Sequence, residues 1–194
     1  MVYQFAINVI AANALFGIAI PQLKAYNLEL EQMVFTDTLT HVSSRQYMVQ
    51  RAEIEINHSH KQKTALTLVV FDLDEFKLIN DQYGHTLGDT TLRKVCKVCQ
   101  GFLREKDVIA RFGGDEFILL FPKLNIHETC GVVEKIRESI HQIKIANTRI
   151  SSSFGIAELQ KHEDFNTLFN RADKALYISK GKGGNRITLA DEAI

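Results

Sequence analysis

Apolar runs and stripes along the chain predict a mixed sheet covered by helices. Residues 64–71, TALTLVVF, form a continuously apolar, β-branched run that is typical of a strand buried on both faces. Two shorter apolar runs, residues 108–112 and 117–121, flank the sequence Gly-Gly-Asp-Glu. This pattern predicts a β-hairpin, because glycines accept the positive φ angles of tight turns.

Helices are predicted where apolar residues recur every three or four positions. Asp89 or Thr90 is placed to cap the first of these helices. Strands at residues 149–157 and 186–189 complete the order α-β-α-β-β-α-β-α-β. An α/β (α+β) fold follows, with an antiparallel part in the sheet and helices on one or both faces. The apolar stripes of the three helices are Leu92, Val95, Cys96, Cys99, Phe102 and Leu103; Val132, Val133, Ile136, Ile140 and Ile143; and Phe165, Leu168, Phe169, Ala172 and Leu176.

The N-terminal segment has a different pattern. Residues 2–20 contain no charged residue and have about the length that a membrane-crossing helix needs. Gln4, Asn8 and Asn13 make the segment unusually polar for a span, and it lacks the basic flank of a secretory signal. Two interpretations stay open: a membrane span, which would tether a cytoplasmic domain to the inner membrane, or an apolar helix that packs against a partner chain.

A short helical connector is predicted after this segment. Leu23, Tyr26, Leu30 and Met33 alternate at spacings of three and four, as in a coiled-coil seam. A plain connecting helix fits equally well, because fewer than two heptads do not hold helices together. The predicted organisation is an apolar helix at residues 1–22, a connector at 23–36 and one domain at 37–194.

Composition excludes several classes of protein. The chain has 45% hydrophobic residues, enough for a real core, and 23 basic against 23 acidic residues. This balance argues against a nucleic-acid partner. Three cysteines favour a reducing, cytoplasmic setting over a disulfide framework. Cys96 and Cys99 form a C-x-x-C string, but both lie on an apolar helical stripe, so core packing is the prediction.

Acid placement is the chemically informative feature. Asp72 ends the predicted buried strand, and Asp115 and Glu116 occupy the turn of the hairpin. If the hairpin lies beside that strand, the carboxylates converge, and such a cluster needs a cation such as Mg²⁺. This arrangement predicts phosphoryl chemistry, whereas the alternative is that these are solvated turn acids.

Two nearby segments suit a nucleotide. Residues 76–85 bring a lysine, an amide and a histidine to the same strand end, a mixture that suits phosphates and a base edge. Residues 179–186, SKGKGGNR, offer cations to a polyphosphate. The second segment also fits an ordinary helix C-cap followed by a turn, and both interpretations can hold together.

These residues resemble a known family. Residues 111–117, RFGGDEF, are similar to the signature of the GGDEF domain of diguanylate cyclases. Residues 72–89 match the second motif of that family, D-x-D-x-F-K-x-x-N-D-x-x-G-H-x-x-G-D, at its usual upstream spacing. The resemblance runs from residue 37 to residue 186 and does not include the first 35 or so residues.

The resemblance implies a fold, a reaction and an assembly. The fold would be the palm-like mixed sheet of nucleotide cyclases and polymerases, with an N-terminal helical extension. The reaction would join two GTP molecules into cyclic di-GMP with Mg²⁺ as cofactor, or Mn²⁺ in its place. Each domain would hold one GTP, so catalysis would require a homodimer. The alternative function is a non-catalytic sensor of GTP or cyclic di-GMP, which would be expected to have lost one of the acids.

The resemblance also implies roles for individual residues. The metal ligands would be Asp72, the Leu73 carbonyl, Asp115 and Glu116, and Asp115 or Glu116 would take the proton from the attacking hydroxyl. Product would bind at the inhibitory R-x-x-D motif, Arg104 and Asp107, whose other interpretation is an ordinary helix-end pair. The substrate-binding positions would be Phe76, Lys77, Asn80, His85, Asp89, Gly113, Gly114 and Lys180.

Three positions depart from the family pattern. His41 stands where the family usually has glycine, and Ser44 stands where it has asparagine. Gly184 replaces a residue that is often basic, so a raised requirement for GTP is expected. The metal-binding positions match the family.

Overall fold

The computed structural model describes residues 20–22, 35–146 and 148–190. Most of residues 2–20 and all of residues 23–34 lie outside these ranges, so the predicted apolar helix, connector seam and domain limits stay predictions. Among the described residues, no helix is both long and apolar enough to cross a membrane.

The described elements follow the predicted order, with additions. The helices are α1 (Arg45–Gln62), α2 (Phe76–Tyr83), α3 (His85–Gln100), α4 (Ile126–His141) and α5 (Phe165–Gly181). The strands are β1 (Ser43–Ser44), β2 (Leu66–Leu73), β3 (Val108–Gly113), β4 (Glu116–Pro122), β5 (Lys144–Ile145), β6 (Thr148–Arg149), β7 (Ser152–Glu158) and β8 (Ile187–Leu189).

A six-stranded sheet in the order β1-β3-β4-β2-β7-β8 forms the centre of the domain. Strand β2 is antiparallel to both β4 and β7, while β1 pairs in parallel with β3 and β7 with β8. The predicted mixed sheet is therefore confirmed, and so is the predicted β3-β4 hairpin. Because β4 lies directly beside β2, the hairpin turn and the end of β2 meet at one edge of the sheet.

Helices cover both faces, as the continuously apolar β2 requires. Val69, Phe71 and Leu73 belong to a core with α2, α3 and α4, whereas Leu68 and Val70 pack with α1 and α5. This division follows from the alternation of side chains along a strand. Cys96 and Cys99 are buried in the first core, which confirms their predicted packing role.

Aromatic rings reinforce the three central strands just before the acidic edge. Phe71 stacks on Phe117 of β4 and on Phe154 of β7, with ring centroids 5.2 and 5.0 Å apart. All three side chains are completely buried. The strand ends that follow these rings are thus held in fixed register.

Several predicted boundaries were wrong. Asp89 and Thr90 do not cap a helix but lie inside α3, which begins at His85 after Gly84. Gly84 has a φ of 81° and separates α3 from α2, a helix that the sequence analysis did not resolve. The helices also end earlier than the apolar stripes predicted, so Phe102, Leu103 and Ile143 lie beyond them.

The strand predicted at residues 149–157 is divided in two. Thr148–Arg149 forms a small hairpin with Lys144–Ile145, and the sheet strand begins only at Ser152. The apolar pattern does not show this break, because Ile150, which lies between the two strands, is buried like the strand residues that follow it.

Candidate active site

The predicted convergence of acids occurs at the edge where β2 and β4 end. Asp72 is the register partner of Glu116, and Asp115 immediately precedes β4. Directly opposed residues of antiparallel strands project from the same face of the sheet, and like charges there repel. The fold therefore holds these acids together at a cost in stability.

The electrostatics of the site reflect this crowding. Burial raises the pKa of Asp72, and the carboxylates of Asp115 and Asp74 raise it further, against the opposing effect of Lys180. Lys180 Nζ lies 2.8 Å from Asp72 Oδ2. Burial also raises the pKa of Glu116, and the charges of Asp173 and Asp72 add to the effect. A cation bound at this edge would offset the charge repulsion that acts on both carboxylates.

A cleft of about 580 Å³ opens beside the acids, within the usual size range of small-molecule sites. It contains most of the residues predicted to bind metal and phosphate. The lining residues are Asp72, Leu73, Asp74, Glu75, Phe76, Lys77, Asp115, Ser151, Lys180, Gly183 and Gly184.

The predicted base-binding residues form a separate group on α2 and α3. Asn80, His85 and Asp89 do not line the cleft described above. A Cβ on Gly88 would overlap the side-chain oxygen of Asn80, so this glycine lets α2 and α3 pack closely around that amide. Gly88, which has no assigned role in the sequence motifs, thus determines how closely α2 and α3 approach each other at Asn80.

Arg111 fixes the acidic turn from behind. Its Nε and Nη2 donate hydrogen bonds to the Gly114 carbonyl at 2.9 and 2.7 Å. Its Nη1 contacts the Asp37 carboxylate at 3.3 Å. Gly114 has a φ of 22°, and the register shifts between Arg111 and Gly113. Sequence analysis placed Arg111 in the signature but did not identify it as the support of the turn.

The three departures from the family pattern are explained by backbone structure. His41 has a φ of 59°, a conformation that glycine adopts most readily, and it does not line the cleft beside the acids. Ser44 caps α1 by accepting a hydrogen bond from the Tyr47 amide at 3.3 Å, a role that asparagine also fills well. Neither position is among the residues that line the cleft beside the acids.

Gly184 has a specific structural reason to lack a side chain. Its φ is 72°, and a Cβ there would lie 2.9 Å from the Asp74 carboxylate. The cations that line the cleft are Lys77 and Lys180, and neither Lys182 nor Arg186 is among its lining residues.

The predicted inhibitory pair borders a different cleft. Arg104 and Asp107 line it together with His41 and Tyr47, and it shares no lining residue with the cleft beside the acids. Arg104 Nη2 donates to Asp107 Oδ1 at 2.6 Å, and its Nε donates to Asp107 Oδ2 at 2.9 Å. Only 1% of the Asp107 side chain is exposed, whereas 38% of the Arg104 side chain is, so the arginine covers the aspartate and is itself accessible.

The donor set fits a hard divalent cation. Asp72 and Asp115 offer carboxylate oxygens and Leu73 a carbonyl oxygen, whereas no histidine or cysteine lines the cleft. Oxygen donors of this kind suit Mg²⁺, which is commonly held by one or two carboxylates together with substrate phosphates. In the described part of the chain, no three His, Cys, Asp or Glu side chains are already gathered as a metal cluster.

Comparison with known sequences gives a consistent result. The family described as "Diguanylate cyclase, GGDEF domain" matches residues 34–186. Diguanylate cyclase DosC of Escherichia coli K12 is 36% identical over 158 residues, which cover 79% of this chain and 34% of that protein. Diguanylate cyclase A of Treponema denticola is 35% identical over 172 residues, which cover 84% and 46%. The chain thus spans about a third to a half of these relatives.

Solved structures resemble the fold closely. The coiled coil and GGDEF domain of DgcB from Caulobacter crescentus, in complex with c-di-GMP, has a TM-score of 0.87 and 28% identity, and the match covers 93% of this chain and 98% of that one. The diguanylate cyclase SiaD of Pseudomonas aeruginosa, in complex with its activator SiaC, has a TM-score of 0.78 and 28% identity, with coverage of 96% and 74%.

Proposed function

This chain belongs to the GGDEF domain family of diguanylate cyclases, and we propose that it condenses two molecules of GTP into cyclic di-GMP and two pyrophosphates. The observation that supports this most directly is the pairing of Asp72 and Asp115 at a cleft that also contains Lys77 and Lys180. Acids and cations around one cleft suit a metal-bound triphosphate. A non-catalytic sensor would not need this complete set of acids.

Triphosphate binding is assigned to the cations and to the start of α2. Lys77 and Lys180 line the cleft, and Phe76 begins α2 beside them. Free amides at a helix N-terminus attract phosphate oxygens, and the lysine ammonium groups add charge. Lys180 is paired with Asp72, so its ammonium is already positioned beside the acids.

Asp72, Asp115 and the Leu73 carbonyl would hold Mg²⁺, or Mn²⁺ in its place, with Glu116 beside them. The ion, when bound, supplies positive charge at the α-phosphate and lowers the pKa of the attacking 3′-hydroxyl. Asp115 or Glu116 accepts the hydroxyl proton. Gly113 and Gly114 let the turn approach the nucleotide closely, because neither has a side chain.

Guanine recognition is assigned to Asn80, His85 and Asp89. The Asp89 carboxylate accepts hydrogen bonds from the N1–H and N2 amino donors of guanine, a pattern that adenine does not offer. Packing around Gly88 holds the Asn80 amide against α3, the helix that also contains Asp89.

Product inhibition is assigned to Arg104 and Asp107. An arginine fork suits a guanine Hoogsteen edge or a phosphate, and the aspartate suits the guanine amino side. Their cleft is separate from the one beside the acids, which supports an inhibitory site outside the catalytic centre. Arg104 is already accessible, whereas contact of product with the covered Asp107 carboxylate requires the pair to open.

The decisive experiment is incubation of the full chain with GTP and Mg²⁺, followed by chromatography of the nucleotides. Asp115→Asn should lower cyclic di-GMP production by about a hundredfold or more, because metal and transition state lose an anionic partner. Its melting temperature should not fall, since the substitution removes like-charge repulsion.

Glu53→Gln is the matched control for that experiment. It removes one carboxylate from an exposed position on α1, away from the cleft, and should retain the wild-type rate. Normal production by a folded Asp115→Asn protein would contradict the proposed mechanism.

A further inference from the structure

A third carboxylate at the cleft, Asp74, has an arrangement unlike that of its neighbours. It follows directly after β2 and lines the same cleft as Asp72. Its side chain, however, is already fully engaged by the protein. Ser153 Oγ donates to Asp74 Oδ1 at 2.6 Å, and Ser151 Oγ donates to Oδ2 at 2.6 Å.

The third donor to Asp74 comes from the loop after α5. The backbone N–H of Asn185 donates to Asp74 Oδ2 at 2.8 Å, although the two residues are 111 positions apart in the sequence. Asn185 has a φ of 48°, and Gly184 packs directly against the Asp74 carboxylate. With three donors on two oxygens, Asp74 acts as an anchor for this loop and not as a metal ligand.

The same loop forms one wall of the cleft. Gly183 and Gly184 line it together with Lys180, which lies in the last turn of the preceding helix. On the far side, Arg137 Nη1 of α4 donates to Asn185 Oδ1 at 2.7 Å. The loop is therefore held at Asn185 from two directions, and the contact that faces the cleft is the one made by Asp74.

We propose that Asp74 is a positioning residue for substrate: it clamps residues 183–185 against β7 so that Lys180 and the loop backbone meet the triphosphate. This inference rests on the proposed function. It assigns to Asp74 a role in the binding of GTP phosphates, separate from metal coordination. Displacement of the loop would weaken nucleotide binding while leaving Asp72 and Asp115 in place.

Asp74→Ala tests the clamp because it removes all three hydrogen bonds at once. An asparagine could keep them, since a serine hydroxyl can accept from the amide nitrogen as well as donate. Hydrogen exchange of residues 183–186 should become about tenfold faster or more, without change in the core strands. The KM for GTP should rise about tenfold, while kcat stays within about threefold and the Mg²⁺ requirement at saturating GTP is unchanged.

Two buried serines on β7 provide a matched pair. Ser153 bonds to Asp74, does not line the cleft and is buried, so any effect of Ser153→Ala on GTP must pass through Asp74. Ser152 is equally buried, but its hydroxyl has no hydrogen-bond partner among the described residues. Ser153→Ala should raise KM severalfold and Ser152→Ala should not. In an Asp74→Ala background, Ser153→Ala should have no further effect on KM.

The outcomes separate this inference from the proposed function. A raised Mg²⁺ requirement with a collapse of kcat in Asp74→Ala would make Asp74 a metal ligand and overturn the clamp. Equal KM values for Ser152→Ala and Ser153→Ala would also overturn it, as would unchanged exchange at residues 183–186. If the wild type makes no cyclic di-GMP, the proposed function fails, while the exchange measurement still decides whether Asp74 anchors the loop.

Discussion

At the scale of single residues, Asp37 connects the segment before β1 to the turn between β3 and β4. Its carboxylate accepts hydrogen bonds from the Thr40 amide and hydroxyl and contacts Arg111, which in turn holds the Gly114 carbonyl. Burial raises the pKa of Asp37, but these hydrogen bonds and the Arg111 charge outweigh burial and leave the pKa below its usual value of 3.8.

A pH-dependent stability follows from Asp37. A depressed native pKa means that the carboxylate stabilises the fold above pH 3.8 and that this contribution is lost as the pH falls through the native pKa. Asp37→Asn should lower the free energy of unfolding by about 1 kcal/mol at pH 7. The difference from wild type should disappear at the acid end, where both side chains are neutral. Denaturant unfolding of both proteins at several pH values measures this difference in the free energy of unfolding.

The groups around Asp37 make this test clean. Burial raises the pKa of the nearby Cys96 thiol to about 12, so this thiol stays neutral over the pH range of the test. Asp81→Asn, an exposed aspartate on α2, is the control and should leave stability unchanged. A difference that persists at low pH would mean that the Asp37 charge is not responsible.

Nucleotide selectivity is a second test at the residue scale. A site that accepts from guanine N1–H and N2 through Asp89 leaves buried polar groups unpaired when adenine enters. The kcat/KM for GTP should therefore exceed that for ATP by about a thousandfold or more. Asp89→Ala should reduce this ratio strongly. Comparable turnover of ATP by the wild type would contradict the assignment of Asn80 and Asp89 to the base.

Single residues also mark the limit of what the sequence could predict. Asp72, Asp115 and Glu116 were identifiable because acids at the end of an apolar strand and in an apolar hairpin have no role in folding. The role of Asp74 was not identifiable, since its partners Ser151, Ser153 and Asn185 lie 77 to 111 residues away. Gly184 was interpreted as a missing cation because its φ and its contact with Asp74 are invisible in the sequence.

At the scale of elements, the hydrophobic pattern predicted the helices and strands that have strong local signals. It failed where the conformation of a single backbone position sets the boundary of an element. Strand β2 and the β3-β4 hairpin were predicted because continuous apolar runs and a Gly-Gly turn are strong local signals. The break between α2 and α3 was missed, because only the positive φ of Gly84 divides a sequence that is otherwise compatible with a helix. The close packing of α5 on β7 was also unpredictable: a Cβ on Gly155 would overlap the backbone of α5 at Ala172 and Leu176.

The turn between α3 and β3 holds the proposed inhibitory pair and gives the element-scale prediction. Arg104→Lys keeps a positive charge beside the buried Asp107 but loses the planar fork that binds guanine. Initial rates measured with and without added cyclic di-GMP should show inhibition weakened about tenfold or more in Arg104→Lys. Arg93→Lys, an exposed arginine on α3, is the control.

Two results would separate binding from structure at this turn. The buried Asp107 carboxylate accepts its side-chain hydrogen bonds from Arg104. A fall in melting temperature with intact inhibition would therefore mean that the pair is only structural. Equally strong inhibition in Arg104→Lys and wild type would place feedback at the active site itself.

At the scale of the whole molecule, one domain provides half of what the proposed reaction needs. The cleft beside Asp72 has a volume of about 580 Å³ and two lysines for one triphosphate, whereas cyclic di-GMP contains two nucleotides. We therefore propose that two chains face each other so that the 3′-hydroxyl of each GTP reaches the α-phosphate of the other. The predicted seam at Leu23, Tyr26, Leu30 and Met33 would serve this arrangement by raising the effective concentration of one domain near the other.

The requirement for two chains predicts how rate depends on concentration. Below the dissociation constant of the dimer, the rate of cyclic di-GMP formation per chain should rise in proportion to protein concentration, and above it the rate should level off. Adding an excess of Asp115→Asn chains to dilute wild type should suppress production, because mixed dimers contain one damaged half-site. Glu53→Gln chains added in the same excess should not suppress it. A rate per chain that is constant across the dilution series, with no suppression by Asp115→Asn, would mean that a single chain completes the reaction.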